Sequence, residues 1–137
     1  MLKHFTTSIF IINNFDRNFK LLLIHHKKFG RWMVHGGHIE SFENQIEAAI
    51  RETREETGLE IKLFSFLHEK NEVNDSELLL PPEYFFQQLI PATPKIEAHY
   101  HLDFAYLAFS DDLDFTFNAQ ETKDIRWVDL EDALNYN

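Results

Sequence analysis

Three glutamates near the end of one amphipathic segment are the residues of this chain best suited to chemistry. Glu52, Glu55 and Glu56 lie between Phe42 and Gly58. At about 100° per residue of helix, Phe42, Ile46, Ala49, Ile50, Thr53 and Thr57 form one stripe, and the glutamates form another, roughly opposite. Glu52 and Glu56 are four residues apart, where like charges cost roughly 0.2–0.5 kcal/mol. Gly58 is a C-terminal breaker, so the carboxylates crowd into the last two turns, at the negative end of the helix dipole. A helix built for stability would carry Lys or Arg there. A cation among the carboxylates removes the conflict, and hard oxygen donors on one face suit Mg²⁺ or Mn²⁺. The plain alternative is a solvated face laced by Glu47–Arg51 and Arg51–Glu55 pairs.

Other residues offer weaker chemistry. His99 and His101 are two apart in an extended segment and share one face with Asp103, between Tyr100, Leu102 and Phe104. Such a stripe could line a substrate groove or lie exposed. A zinc site would need a third soft ligand, and the chain has no cysteine to supply one. His25, His26, His35 and His38 read as loop or strand-end residues. Lys27, Lys28 and Arg31 form a local basic patch able to meet a phosphate. Phe29 and Trp32 flank Gly30-Arg31, where core packing competes with stacking on a base.

The spacing is also a family pattern. Gly37, five residues, Glu43, seven residues, then Arg51-Glu52-Thr53-Arg54-Glu55-Glu56-Thr57-Gly58-Leu59 resembles the Nudix box. Two positions depart from it. Thr53 stands where the pattern has a bulky aliphatic, and His35 stands before Gly36-Gly37 where family members often have Pro. The resemblance implies a small mixed sheet between helices, an α/β (α+β) sandwich over residues 1–137. It implies a pyrophosphohydrolase that breaks a phosphoanhydride in a nucleoside diphosphate linked to another group, by attack of water at phosphorus. It implies that Glu55 and Glu56 hold the metal with the Gly37 carbonyl close by. Glu52 takes a proton from water or holds a second ion, and Arg51 pairs with Glu43. Glu121, before Ile125-Arg126-Trp127, takes the place of an acidic loop residue that in relatives completes the metal cluster or acts as base. Glu40 is either close to the metals or plain surface. The other reading is a non-catalytic module binding a nucleotide or a protein on the same fold. Degenerate members usually lose a glutamate of the run, and here none is lost. The box is common to hydrolases of sugar nucleotides, dinucleoside polyphosphates, dinucleotide cofactors and oxidised nucleotides, and no second motif chooses among them.

These residues need a scaffold. With 137 residues, 44% of them hydrophobic and 14 of them Phe, the chain can bury the core of one domain. A net charge of −10 argues against broad nucleic-acid binding, which wants a basic face. No apolar run spans a membrane, and no secretory pattern opens the chain, so a cytoplasmic location is expected. Strands are expected at Phe5–Ile12 and Phe19–His26, joined as a hairpin through 13–18. Trp32–His35 reads as extended, and Gly36-Gly37 as a backbone conformation closed to other residues. Ser41 is the expected cap of a helix from Phe42 to Thr57. Further strands are expected at Glu60–Glu69, Ala98–Phe109 and Lys123–Val128, with Asp129 capping a final helix. Pro82–Leu89 reads equally as helix or strand. It lies in a proline-punctuated insert whose Tyr84, with Arg31, His99 and His101, is expected to bind substrate. A homodimer contact through Tyr84–Phe86 is the competing reading.

Overall fold

A computed structural model describes residues 1–15, 17–67, 76–112, 114–116 and 118–136. Its first two strands, β1 (Lys3–Phe15) and β2 (Asn18–His26), form the expected antiparallel hairpin. Both run longer than their β-branched and aromatic cores, because the ladder continues to Phe15↔Asn18. Arg17 sits there at φ 70. After β3 (Arg31–Met33) and β4 (His35–His38) comes helix α1 (Gln45–Thr57). Then follow β5 (Lys62–Phe64), β6 (Tyr84–Ile90), β7 (His99–Phe109), β8 (Thr122–Asp129) and a short α2 (Leu130–Ala133).

All eight strands join one mixed sheet, ordered β3-β2-β1-β7-β5, with β4 against β1, β6 against β7 and β8 against β2. The β1–β7 pair is parallel, running from Lys3↔Tyr100 to Ile12↔Phe109, and the other pairs are antiparallel. The sheet splits on one side. β1 pairs with β2 from Ile12 to Phe15, but with β4 from Thr6 to Ile9. β2 in turn takes β3 from Ile24 to His26. Val34 is the corner between the two halves, and the split opens a wedge in the sheet.

Helix α1 covers one sheet face. Ile9, Ile11, Leu22, Ile24, Ala108 and Ile125 pack there with Ala49 and Leu59. Burying each Leu or Ile side chain is worth about 1.5–3 kcal/mol. Leu21, Leu23 and Val128 turn to the other face, against Trp32, Ala133 and Tyr136. The fold is therefore a sheet between helices, of mixed α+β class.

Four local expectations need correction. Ser41 is not the helix cap. Asn44 is, in a capping box: its side chain accepts from Ile46 and Glu47 N–H at 3.0 and 2.9 Å, and Glu47 accepts the Asn44 N–H at 3.1 Å. Phe42, taken as the first residue of the apolar stripe, lies before the helix and is 79% exposed. Gly36 and Gly37 are in ordinary strand conformation, not in a conformation barred to other residues. They are small because of space: a Cβ on Gly36 would strike the Thr7 carbonyl, and one on Gly37 would strike the Glu52 carboxylate. Asp129 takes the cap position of α2, but its side chain pairs with Lys20 at 3.1 Å and caps nothing.

The insert resolves as a strand over 84–90. The strand expected at Glu60–Glu69 shortens to Lys62–Phe64, and Glu69 lies outside the described residues.

Candidate active site

The wedge in the sheet is a cavity of about 860 Å³, within the range of small-molecule sites. One wall is the glutamate face of α1. Gly58 ends that helix in the left-handed conformation at φ 71, with its N–H on the Arg54 carbonyl at 3.0 Å. The last two turns thus present Glu52, Glu55 and Glu56 to the cavity. The face is not uniformly solvated: Glu55 stays exposed and makes the expected pair with Arg51, but Glu56 is buried. Glu56 is 7% exposed, and its Oε2 has no hydrogen-bond partner. Burial, together with Glu52 and Glu121 alongside, pushes its carboxyl up to about 8. Burial also raises Glu52, opposed by the neighbouring Arg51 guanidinium.

Glu121 joins this group from the turn before β8. Its turn is tied down by the Asn118 carbonyl, which accepts from the N–H of Glu121 at 3.2 Å and of Thr122 at 2.9 Å. The Glu121 carbonyl accepts from Lys27 N–H at 3.0 Å, and Lys27 Nζ donates to the Ala119 carbonyl. Three carboxylates from two distant parts of the chain therefore converge on one spot.

Arg51 organises the same wall. Its Nε and Nη2 clasp Glu43 at 3.0 and 2.6 Å, its Nη1 donates to Glu52 at 3.0 Å and Glu55 at 3.1 Å, and its Nη2 also reaches the His38 carbonyl at 3.2 Å. The guanidinium hydrogen bonds hold the Glu43 carboxyl below the ordinary carboxylate range. One side chain thus fixes the loop before the helix, the helix itself and strand β4.

The opposite wall comes from β1 and β7. Parallel pairing sets His4 opposite His101 and Thr6 opposite Asp103. Thr6 Oγ1 donates to Asp103 Oδ1 at 2.6 Å. His99 and His101 line the cavity with His4 and His38. Lys27, Lys28, Phe29 and Arg31 line it from the loop after β2. Trp32 does not. It packs at a right angle on Tyr136, with ring centroids 5.1 Å apart, as the core reading expects.

A family model described as the NUDIX domain matches residues 2–137. The chain belongs to the Nudix family. The Nudix chain is similar to a NUDIX-family hydrolase from Clostridium perfringens, with 31% identity, TM-score 0.76, and coverage of 100% of this chain and 88% of that one. It shares the fold of a C. elegans Ap4A hydrolase, with 19% identity, TM-score 0.64 and coverage of 97% and 85%. The same fold recurs in the NUDIX domain of Shewanella oneidensis NrtR complexed with ADP ribose, with 17% identity, TM-score 0.61 and coverage of 100% and 79%. No match was found among curated protein sequences. Family and neighbours together make the chain a Nudix-type hydrolase.

Against this Nudix site, most of the expected residues come together: Gly37, Arg51, Glu52, Glu55, Glu56, Glu121, Arg31, His99 and His101 all line one cavity, and Glu40 does too. Tyr84 does not. It is 71% exposed at the far end of β6, four residues and roughly 13 Å of strand before Gln88, which does reach the cavity. The two departures from the Nudix box turn out to be partners. Thr53 Oγ1 donates to the Ala49 carbonyl at 2.7 Å, which leaves its lone pair for His35 Nε2–H at 2.8 Å. Both are fully buried, and burial lowers His35 to about 4, so the ring is neutral. His4 is the site residue that sequence reasoning missed. It stands alone in the sequence, and only the parallel register of β1 on β7 brings it to His99 and His101.

Proposed function

We propose that this Nudix hydrolase breaks a phosphoanhydride bond in a nucleoside diphosphate linked to another group, by attack of water at phosphorus. The observation that carries this reading is the convergence of Glu52, Glu56 and Glu121 on one wall of a cavity also lined by Lys27, Lys28 and Arg31.

The donor set fits a hard divalent cation. A buried carboxylate oxygen without a partner, beside two further carboxylates, is a costly arrangement that Mg²⁺ or Mn²⁺ would relieve. Glu55 and Glu56 would hold the ion, with the Gly37 carbonyl, Glu52 and Glu121 beside them. When bound, such an ion neutralises diphosphate charge and makes water a better nucleophile.

The chain's own residues do the rest. Glu52 is the base that takes the proton from water, and the desolvation that raises its carboxyl brings it nearer the working range of a general base. Arg51 is a positioning residue, holding Glu52 and Glu55 while braced on Glu43. Lys27, Lys28 and Arg31 attract the diphosphate despite the net charge of −10. His99, His101 and Asp103 face the group attached to it.

The test is a panel of nucleoside diphosphate sugars, dinucleoside polyphosphates and dinucleotide cofactors, hydrolysed with Mg²⁺ in heavy-oxygen water. The expected result is turnover that requires the ion and places heavy oxygen in a product phosphate. Labelled oxygen found only on carbon would overturn the reading, and so would a wholly inert panel.

A further inference from the structure

Four imidazoles gather in the cavity, and facing the substrate does not by itself account for their packing against one another. His4 comes from β1, His38 from β4, and His99 and His101 from β7. His4 Nδ1 and His38 Nε2 are 3.2 Å apart, and so are His99 Nε2 and His101 Nε2. The ring centroids of His4 and His99 are 4.5 Å apart, and those of His38 and His101 are 5.3 Å apart. One ligand atom from each of His4, His99 and His101 falls within 4.8 Å of the others.

We infer that His4, His99 and His101, with His38 beside them, form a binding site for a borderline transition-metal ion such as Zn²⁺, distinct from the carboxylate site for Mg²⁺.

The chemistry of the donors favours this assignment. Nitrogens bound tetrahedrally to Zn²⁺ at about 2.05 Å lie roughly 3.4 Å apart, close to the spacing of the two histidine pairs. The tautomer of His99 is fixed by its surroundings. Its Nδ1 is 2.9 Å from the Glu97 carbonyl, which can only accept, so Nδ1 carries the proton and Nε2 presents a lone pair. A backbone carbonyl on the outer nitrogen is the usual support of a metal-bound imidazole. Burial, and the mutual repulsion that protonation would bring, hold His101 down at about 4 and lower His38 as well. Neutral imidazole is the ligating form. Imidazole suits Zn²⁺, Co²⁺, Ni²⁺ and Cu²⁺, whereas the all-oxygen site across the cavity suits Mg²⁺. Two chemically different ion sites then share one cavity.

Cobalt tests this directly, since its visible spectrum reports nitrogen donors and low coordination number. Untagged protein, stripped with a chelator, is titrated with Co²⁺ alone and then with Zn²⁺. The expected result is one equivalent of Co²⁺ with an intense visible band, displaced by Zn²⁺, which binds such sites more tightly. His99→Ala and His101→Gln should each weaken Co²⁺ binding more than roughly tenfold, the loss that even an outer-shell change produces. Glu56→Gln should keep the band. Circular dichroism of the metal-free variants checks that they fold, and His4→Ala, at a half-exposed position, replaces any that does not. Absence of the band in the parent protein would overturn the site. So would its survival in the histidine variants, or its loss in Glu56→Gln. Hydrolysis with Mg²⁺ is measured separately, so failure of this site and failure of the hydrolase reading are told apart.

Discussion

Glu56 is the residue where function costs the fold most. It is buried at the C-terminal end of α1, where the dipole is negative, and two other carboxylates lie beside it. Its carboxyl titrates at about 8 in the folded metal-free protein, against an ordinary value of 4.5. A carboxyl raised in this way has its stabilising contribution intact below the unfolded value, and loses it as pH rises through the folded one. Metal-free protein should therefore lose stability steadily between about pH 4.5 and about pH 8. Glu56→Gln removes the titration. Its metal-free melting temperature should match or trail the parent near pH 5 and exceed it near pH 8, by the equivalent of about 1–3 kcal/mol. Mg²⁺ should then raise the parent more than the variant. Melting curves at the two pH values, with and without Mg²⁺, check this. A constant gap between the two proteins would mean that Glu56 is not the strained carboxylate.

Among the elements, strand β4 and helix α1 are held together by one buried hydrogen bond, from His35 to Thr53. Each residue alone departs from the family pattern; together they make one buried polar contact, which leaves His35 Nδ1 without a partner. Thr53→Val leaves the His35 Nε2–H buried and unpaired, a loss of about 1–3 kcal/mol. Replacing both partners by apolar groups can be nearly neutral. Urea denaturation of Thr53→Val, His35→Leu and the double variant should thus show the double variant more stable than the sum of the singles implies, by about 1 kcal/mol or more. Strict additivity would contradict the pairing.

The same pair shows what was legible in the sequence. The glutamate spacing of α1 was readable because neighbours on a helix face are set by sequence distance alone. The β1–β2 hairpin and the β7 strand were readable from local composition for a similar reason. Contacts across the sheet were not. In the sequence Thr53 and His35 are only two separate departures from a pattern, because nothing local links positions eighteen residues apart. His4 was invisible as a site residue, since its partners lie almost a hundred residues away, across a parallel register that no turn fixes. Phe42 reads as the start of the apolar stripe and so points to Ser41 as the helix cap, although Asn44 and Glu47 spell a capping box. Tyr84 is expected at the substrate because its insert leads into the His99–His101 stripe, but the antiparallel register of β6 on β7 sets it opposite Ala105, away from the cavity.

At the scale of the whole molecule, the split sheet is what makes a site. β1 exchanges β2 for β4, and the resulting wedge is walled by acidic residues on one side and histidines on the other, with the basic loop after β2 also lining it. Among the described residues, no helix is long and apolar enough to cross a membrane. The reaction proposed above brings an anionic substrate to an acidic chain by way of a divalent ion and the cations of Lys27, Lys28 and Arg31, so it depends on the order at the glutamate wall. Glu52 is the residue on which that order bears. The most direct measurement is steady-state hydrolysis of the best compound in the panel, with saturating Mg²⁺, by the parent protein and by Glu52→Gln. The variant keeps the side-chain shape and removes the base. Its kcat should fall at least ~100-fold, as loss of a general base does, while its melting temperature holds. Turnover close to that of the parent in a folded Glu52→Gln protein would contradict the account.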